Sequence, residues 1–234
     1  MKAWLARLGA PWRKLGALDG SLYLINRLLG HLSGGRAGLH KYYLVVQPVR
    51  PAAQALRPSA DTVIAPAAPD SPLRASFPRP TEVIEQRYRD GALCFAAVVK
   101  AQFAGFLWLQ RERYREDEVR CDYLLVQPAV SVWDYDVYVE PRYRLGRCLA
   151  RLWDEANRHL QAEGVRWTFS RISAYNPASL KAHARLDARP LHSALFLCLG
   201  RLQFSWLPQA PHLHLSLGPQ QRPRIPLAPP TELP

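Results

Sequence analysis

The hydrophobic pattern of the chain changes period most clearly near its middle, where a strand-like stretch gives way to a helix-like one. Residues 133–139 are rich in β-branched and aromatic side chains, which is typical of a strand, and Pro141 ends it because proline has no N–H for a ladder. After Gly146 the apolar residues fall on one helical face, at Leu149, Leu152, Trp153, Ala156 and Leu160. The pattern therefore predicts a strand, a basic turn and a helix.

A second unit of the same kind follows Glu163 and Gly164, which end the first predicted helix. Residues 165–172 are strand-like, and the dipeptide Asn176-Pro177 is a strong helix start. Asparagine can cap the first free N–H groups, and proline suits the first helical position. The sequence thus predicts two successive strand–turn–helix units.

Shorter elements surround these two units. The pattern predicts helices at 20–32 and 80–90 and strands at 41–48, 93–100, 105–111, 119–126, 193–200 and 202–206. Proline and alanine dominate residues 48–80, where only residues 62–64 are strand-like, so we expect a loop there. The tail, residues 207–234, is rich in proline and low in charge, and we expect it to be disordered or draped over the surface.

With these two units in this order, the chain resembles the GNAT superfamily of acyl-CoA-dependent N-acyltransferases. The resemblance rests on two motifs: Val139-Glu140-Pro141 followed by Tyr143-Arg144 and Gly146, and then Asn176 with Ser179 and His183. It implies an α/β (α+β) fold with a mixed, splayed central β-sheet flanked by helices. It covers residues 41–206, which leaves residues 1–40 as an N-terminal helical extension packed on or beside that domain.

The resemblance also implies that acyl-CoA, as acetyl-CoA or another acyl-CoA, is held at the basic turn. A helix entered this way presents free N–H groups and a positive dipole end, and arginines add bidentate contacts to phosphate. The residues implied for the pyrophosphate end are Val139, Arg142, Arg144, Leu145, Gly146, Arg147, Cys148 and Leu149, and those for the pantetheine arm are Asn176 and Ser179. Gly146 is the only glycine of this turn, where the family usually has more.

Transfer of the acyl group to an amine by direct attack needs a neutral amine, a polarised carbonyl and a protonated leaving thiolate. Asp134 and Asp136 are spaced by two residues, so we expect them to share one strand face and to act as the base. The alternative is that both bind arginines. The acidic stretch 116–118 is a second candidate, either for the base or as a loop that attracts a cationic acceptor.

For the proton donated to the thiolate, His183 stands where the family usually has tyrosine, and histidine exchanges protons near neutral pH. The alternative is a structural histidine, with Tyr143 and Tyr175 as reserve donors. Direct attack requires no covalent acyl-enzyme, so we interpret Cys148 as a packing residue. Asp187 stands where the family usually has glycine. The missing glycine and tyrosine motivate a second hypothesis, a module of this kind that binds acyl-CoA or a partner without turnover.

Four widely spaced cysteines, Cys94, Cys121, Cys148 and Cys198, form no C-x-x-C pair. The spacing predicts neither a metal site nor a disulfide framework, and it fits a reducing, cytoplasmic location. No stretch approaches the roughly 20 apolar residues of a membrane span.

The formal net charge is +12, which favours anionic partners. Basic and aromatic residues alternate over residues 1–15, so this segment is a candidate for peripheral contact with an anionic membrane. Binding to nucleic acid is a weaker alternative, because the chain has no nucleic-acid motif. The sequence leaves open the acceptor, a small molecule or a protein, and the oligomeric state.

Overall fold

The computed structural model describes residues 2–51, 56–57 and 59–231, with side chains from Gly9 onward. Within these residues it has four helices: α1 (Lys2–Leu32), α2 (Thr81–Arg89), α3 (Cys148–Ala162) and α4 (Pro177–Ala184). The strands of the same residues are β1 (Ala37–Pro48), β2 (Thr62–Pro66), β3 (Leu93–Val99), β4 (Gln102–Gln110), β5 (Arg113–Arg115), β6 (Asp122–Leu125), β7 (Ser131–Val139), β8 (Trp167–Ser173), β9 (Arg189–Leu199), β10 (Leu202–Trp206), β11 (Leu213–Ser216) and β12 (Arg224–Leu227).

The chain folds into two compact units, each assembled from separate stretches. The first unit comprises residues 1–47, 114–124 and 170–227, and the second comprises residues 48–113, 125–169 and 228–234. Strand β8 contributes to both, since residues 167–169 belong to the second unit and residues 170–173 to the first. The domain predicted from the sequence, residues 41–206, includes parts of both units.

In the first unit, strands β1, β9, β10 and β11 form consecutive antiparallel pairs. Helix α1 is fixed to β1 by Asp19, whose Oδ1 accepts from Lys41 Nζ at 2.6 Å and whose Oδ2 accepts from the Tyr43 hydroxyl at 2.7 Å. The helix kinks at Gly16, which has φ 81° and ψ 173°, a conformation open to glycine. The helix predicted at 20–32 is therefore the second part of a longer element.

In the second unit, antiparallel strands run in the order β2-β3-β4-β7, and β7 also pairs in parallel with β8. A parallel pair needs a long crossover connection, and α3 supplies it. As the sequence predicted, α3 buries Leu152, Trp153, Ala156 and Leu160. On the other elements of this unit, Phe77 packs between the rings of Phe103 and Phe106.

The tail that was predicted to be disordered forms two strands instead. Strand β11 pairs with β10, and β12 joins a three-stranded sheet in the order β12-β6-β5. Ile225 and Leu227 of β12 are fully buried, and Arg222 Nε donates to Asp122 Oδ1 at 2.9 Å. Alternating apolar residues provide enough burial to order this segment despite its prolines.

The loop predicted over residues 48–80 is also interrupted by β2, which pairs with β3. Its residues 52–55 and 58 lie outside the described part of the chain. The mixed α/β architecture that the sequence predicted, with parallel and antiparallel pairs and helices against the sheet, is confirmed.

Candidate active site

The turn between β7 and α3 has the form that the sequence predicted. Glu140 N–H donates to Ala104 O at 2.9 Å, and a single 3-10 turn over Pro141–Tyr143 leads towards α3. Arg147 occupies the N-cap position, and its side chain makes no capping hydrogen bond. Within the described part of the chain, the N-cap side chain therefore leaves the first N–H groups of α3 uncapped, and such groups bind anions.

The three arginines of the turn differ in how firmly they are held. Arg142 Nη1 donates to Gln102 Oε1 at 2.7 Å, and Arg144 Nε donates to Val139 O at 2.9 Å. Arg147 is exposed and has no partner among the residues that the structure describes. Leu145 beside them is fully exposed. The guanidinium of Arg147 is therefore free to bind a ligand, and those of Arg142 and Arg144 keep N–H groups that face solvent.

Gly146 and Cys148 complete the turn. A Cβ at Gly146 would lie 3.4 Å from Tyr143 O, and the residue does not need a positive φ. Cys148 is buried and lies 3.9 Å from Ala104 O, and burial raises the pKa of its thiol to about 11. A thiol this weakly acidic is not a nucleophile at neutral pH, in agreement with a packing role. Leu149 behind it is half-buried.

The two aspartates of β7 do not share one face. Trp108 pairs with Tyr135 and Phe106 with Tyr138, so the strand carries an extra residue, and Asp136 there has φ 46°. Such a bulge breaks the alternation of side chains. The expectation that Asp134 and Asp136 point together is therefore wrong.

Their environments differ accordingly. Asp134 is buried, with 2% of its surface exposed. Asp136 Oδ2 accepts from Arg79 Nε at 2.8 Å and from Arg87 Nη1 at 2.6 Å, and Oδ1 accepts from Arg79 Nη2. The alternative of arginine binding is thus what the structure shows for Asp136, whose carboxylate oxygens are committed.

The parallel ladder between β7 and β8 is short. It joins Ser131 to Trp167, Val132 to Thr168 and Trp133 to Phe169, and it ends there. Strand β7 continues for six more residues, through Val139. On its other edge β7 is tightly held by β4, because a Cβ added to Gly105 would lie 2.4 Å from Tyr138 O. The composition did not indicate this close approach.

Helix α4 begins as the sequence predicted, with Asn176 Oδ1 accepting from Ser179 N–H at 3.1 Å. One turn later His183 Nδ1 lies 2.9 Å from Ser179 O. A carbonyl oxygen can only accept, so Nδ1 carries a proton and donates it. In the neutral ring Nε2 is then an acceptor, and it can donate only after the ring has gained a second proton.

His183 lines a cavity of about 380 Å³ in the first unit. Its walls are mainly apolar, and the polar lining consists of Lys14, Asp19, Tyr43 and His183. Lys14 is exposed and has no partner within the described chain, whereas Asp19 is satisfied by Lys41 and Tyr43. Such a cavity has the size and lining of a small-molecule site. Neither Lys14 nor Tyr43 was among the site residues predicted from the sequence.

The acidic stretch 116–118 is not a loop that is free to attract an acceptor. Glu116 is buried and accepts from Arg171 Nε at 2.8 Å and Nη2 at 2.7 Å. Glu118 Oε2 accepts from the Tyr42 hydroxyl at 2.5 Å. Burial raises the pKa of Glu116 to about 7, although Arg171 opposes the rise. Two of the three carboxylates therefore serve an internal network.

The predicted site residues fall into two sets. Asp134, Asp136 and residues 139–149 belong to the second unit, and Asn176, Ser179 and His183 belong to the first. Among the described residues no three His, Cys, Asp or Glu side chains gather as for a metal ion. No described helix is long and apolar enough to cross a membrane.

Structural comparison finds distant likenesses. The chain is similar to a functionally unknown conserved protein from Staphylococcus epidermidis ATCC 12228, with 11% identity and a TM-score of 0.51, over 74% of this chain and 67% of that one. It is also similar to a tandem GNAT protein from the clavulanic acid biosynthesis pathway, with 14% identity and a TM-score of 0.48, over 72% of this chain and 56% of that one. An acetyltransferase from Trypanosoma brucei is 15% identical, with a TM-score of 0.42, over 56% of this chain and 95% of that one.

No protein-family profile matches the chain, and no curated protein matches it. The chain spans little more than half of the tandem GNAT protein. The likeness to the Staphylococcus epidermidis protein, with a TM-score above 0.5, supports the mixed α/β fold. Identities this low concern the fold alone.

Proposed function

We propose that the chain transfers an acyl group from acyl-CoA, acetyl-CoA in the simplest case, to an amine. The single observation that carries the proposal is the uncapped start of α3 behind a turn with three arginines. The N–H groups without an N-cap side chain and the exposed Arg147 fit a pyrophosphate, which carries the charge that such a helix start attracts. The four cysteines are free in the structure, which supports a reducing, cytoplasmic compartment.

The end of the β7–β8 ladder supports the placement of the thioester. Beyond Trp133 the edge of β7 is outside that ladder, and its backbone N–H groups are candidates to polarise the thioester carbonyl. In the proposed step the amine nitrogen forms a bond to the carbonyl carbon and the carbon–sulfur bond breaks. The amine loses one proton, and the thiolate gains one.

We assign the proton transfers to His183. Its neutral ring accepts a proton at Nε2, since Nδ1 already donates to Ser179 O, and the charged ring can return that proton to sulfur. Asn176 and Ser179 at the start of α4 are proposed for the pantetheine arm. Asp136 is engaged by Arg79 and Arg87, so we assign it to structure and not to the base.

The test joins binding and turnover. Calorimetry should detect coenzyme A binding, and an unbiased panel of amines with acetyl-CoA should release free thiol with at least one acceptor. Absence of coenzyme A binding would contradict the proposal. Binding without thiol release from any amine would favour the second hypothesis, a module that binds acyl-CoA without turnover.

A further inference from the structure

Three neighbouring strands of the first unit carry an apolar side that faces solvent. Residues directly opposite in antiparallel pairs share a sheet face. The pairs form three rows: Leu195–Trp206–Leu213, Leu197–Phe204–Leu215 and Leu199–Leu202. We call this set, together with Leu217, the β9–β11 face. Its strands contribute no charged side chain to these rows.

The exposure of this face is unusual for side chains of this kind. Seven of them, Leu199, Leu202, Phe204, Trp206, Leu213, Leu215 and Leu217, expose 38–66% of their surface. The alternate residues on the opposite side, such as Phe196, Gln203 and Ser216, are almost fully buried. These three strands therefore have one buried side and one apolar side in contact with water. Contiguous apolar patches of more than a few hundred Å² mark interaction surfaces.

Arginines border one end of the face, at the turn between β9 and β10. Gly200 N–H donates to Arg36 O at 2.8 Å, and Arg120 Nη1 donates to Arg201 O at 2.7 Å. Arg36 and Arg201 are exposed, and neither guanidinium has a carboxylate partner in the part of the chain that the structure describes. Cations thus lie where the apolar rows end.

The charge of the chain is concentrated in the same unit. Its residues include sixteen Lys and Arg against six Asp and Glu, which gives a net +10 of the +12 of the whole chain. The other unit has fifteen Lys and Arg against thirteen Asp and Glu, a net +2. A partner for this face must therefore be both apolar and anionic.

Helix α1 of the same unit extends the pattern. Leu18, Ile25, Leu28 and Leu32 are spaced on one side of the helix and expose 45–74% of their surface. The chain then turns through Gly34 and Gly35 to Arg36. The exposed apolar side of α1 thus ends four residues before Arg36, whose backbone oxygen accepts from Gly200 N–H at the β9–β10 turn.

We propose that the β9–β11 face binds the surface of a lipid bilayer with anionic headgroups. Trp206, Phe204 and the leucines enter the interfacial layer, and Arg36 and Arg201 contact lipid phosphates. A second copy of the chain fits less well, because it would bring another +10 unit with the same arginines against the first. The proposal places the protein on a membrane surface and is independent of the acyltransferase activity.

The experiment is flotation of the full chain with vesicles of phosphatidylcholine, with and without phosphatidylglycerol. We expect binding to the anionic vesicles that falls as salt is raised. The double variant Phe204→Ser/Leu215→Ser should bind at least about tenfold more weakly. The double variant Arg36→Gln/Arg201→Gln should lose roughly fivefold per arginine, and only on anionic vesicles.

Matched controls come from the second unit. Val63→Ser/Val126→Ser removes two exposed apolar residues, and Lys100→Gln/Arg166→Gln removes two cations, so neither pair should change vesicle binding. Absence of flotation, or equal flotation of the face variants, would overturn the proposal. A dimer of the wild type in light scattering would also overturn the proposal if Phe204→Ser/Leu215→Ser dissociated it. The β9–β11 face would then join two copies of the chain. Circular dichroism verifies that each variant is folded.

Discussion

Arg79 holds the carboxylate of Asp136 with two N–H groups, Nε donating to Oδ2 at 2.8 Å and Nη2 donating to Oδ1. Arg87 adds a third contact at 2.6 Å, and its guanidinium also lies over the ring of Tyr135 at 5.1 Å. The carboxylate therefore fixes two arginines at the bulge of β7. This arrangement makes Asp136 a structural residue next to the proposed site.

Asp136→Asn should lower the free energy of unfolding by about 3 kcal/mol, because it leaves the largely buried Arg87 without its counter-charge. Asparagine tolerates the positive φ at this position, so the loss reports the ion pairs and not backbone strain. Urea unfolding measures it. Asp61→Asn is the matched control, since its pair with Lys100 is exposed and 3.9 Å apart, and it should change stability by less than about 1 kcal/mol. An unchanged unfolding free energy for Asp136→Asn would contradict the structural role.

The helix face and the helix start near the site could be predicted from the sequence, but the bulge of β7 at Asp136 could not. The α3 face, with Leu152 and Trp153, and the N-cap at Asn176 follow from local rules of spacing and capping, and both were predicted. The position of Asp136 depends on an extra residue in the strand, which alternation does not reveal. Its arginine partners, Arg79 and Arg87, are 57 and 49 residues away in sequence, so only the fold brings them together.

Contacts between residues far apart in sequence also explain why the predictions for residues 116–118 and for the tail differ from the structure. The stretch with Glu116 was predicted as a base candidate or as a loop that attracts a cationic acceptor, but Glu116 pairs in the interior with Arg171, 55 residues away. Ile225 and Leu227 occupy a strand because β6 accepts them as a neighbour. Composition describes a segment by itself, whereas burial depends on a partner elsewhere in the chain.

Arg147 and Arg144 of the turn should differ in their effect on the binding of coenzyme A. Arg147→Gln should weaken binding by about 1.5–3 kcal/mol and leave stability unchanged, because this guanidinium is exposed and uncommitted. Arg144→Gln should lower both affinity and stability, since it also loses the bond to Val139 O. Arg158→Gln, on the outside of α3, is the control. If calorimetry gives the same coenzyme A affinity for Arg147→Gln and the wild type, the phosphates of coenzyme A do not bind at this turn.

Gly146 allows a graded test of the same turn. Alanine should be accommodated, because its Cβ would lie 3.4 Å from Tyr143 O and no positive φ is required. Valine adds two methyl groups beside the first N–H groups of α3 and should weaken coenzyme A binding by more than about tenfold. Equal coenzyme A affinity in Gly146→Val and Gly146→Ala would show that the ligand does not approach this backbone.

The Glu116–Arg171 pair predicts a dependence of stability on pH. Burial raises the pKa of Glu116 to about 7, and an unfolded glutamate has an ordinary value of about 4.3. The folded protein then binds this proton more tightly than the unfolded chain does. The stability that protonated Glu116 contributes is therefore fully present below about pH 4 and is lost as the pH rises through about 7.

Arg171→Gln should make this dependence steeper. At pH 8 the variant retains a buried carboxylate without its guanidinium, which should cost about 3–5 kcal/mol, whereas at pH 5 the carboxyl can be protonated and the loss should be smaller. Urea unfolding at both pH values measures the difference. Glu116→Gln/Arg171→Gln should remove most of the pH dependence. An Arg171→Gln loss that is equal at pH 5 and pH 8 would contradict the raised pKa of Glu116.

Variants of His183 distinguish a role in proton transfer from a structural role. His183→Phe keeps an aromatic ring in α4 but has no Nε2, so kcat should fall by about 10²–10⁴-fold if proton transfer limits turnover. Coenzyme A affinity should stay within about threefold. His183→Tyr should recover much of the rate, because a hydroxyl can exchange the proton.

Chemical rescue separates the two roles. The variant His183→Ala opens space on the wall of the 380 Å³ cavity, so imidazole added to the solution should restore part of the rate without changing stability. His192→Phe, at an exposed histidine on β9, is the control and should keep wild-type kcat. Steady-state kinetics with the first acceptor found by thiol release gives both readouts. If His183→Phe retains full activity, or if imidazole rescues nothing in His183→Ala, then His183 only joins its ring to Ser179 O, and solvent or a tyrosine protonates the thiolate.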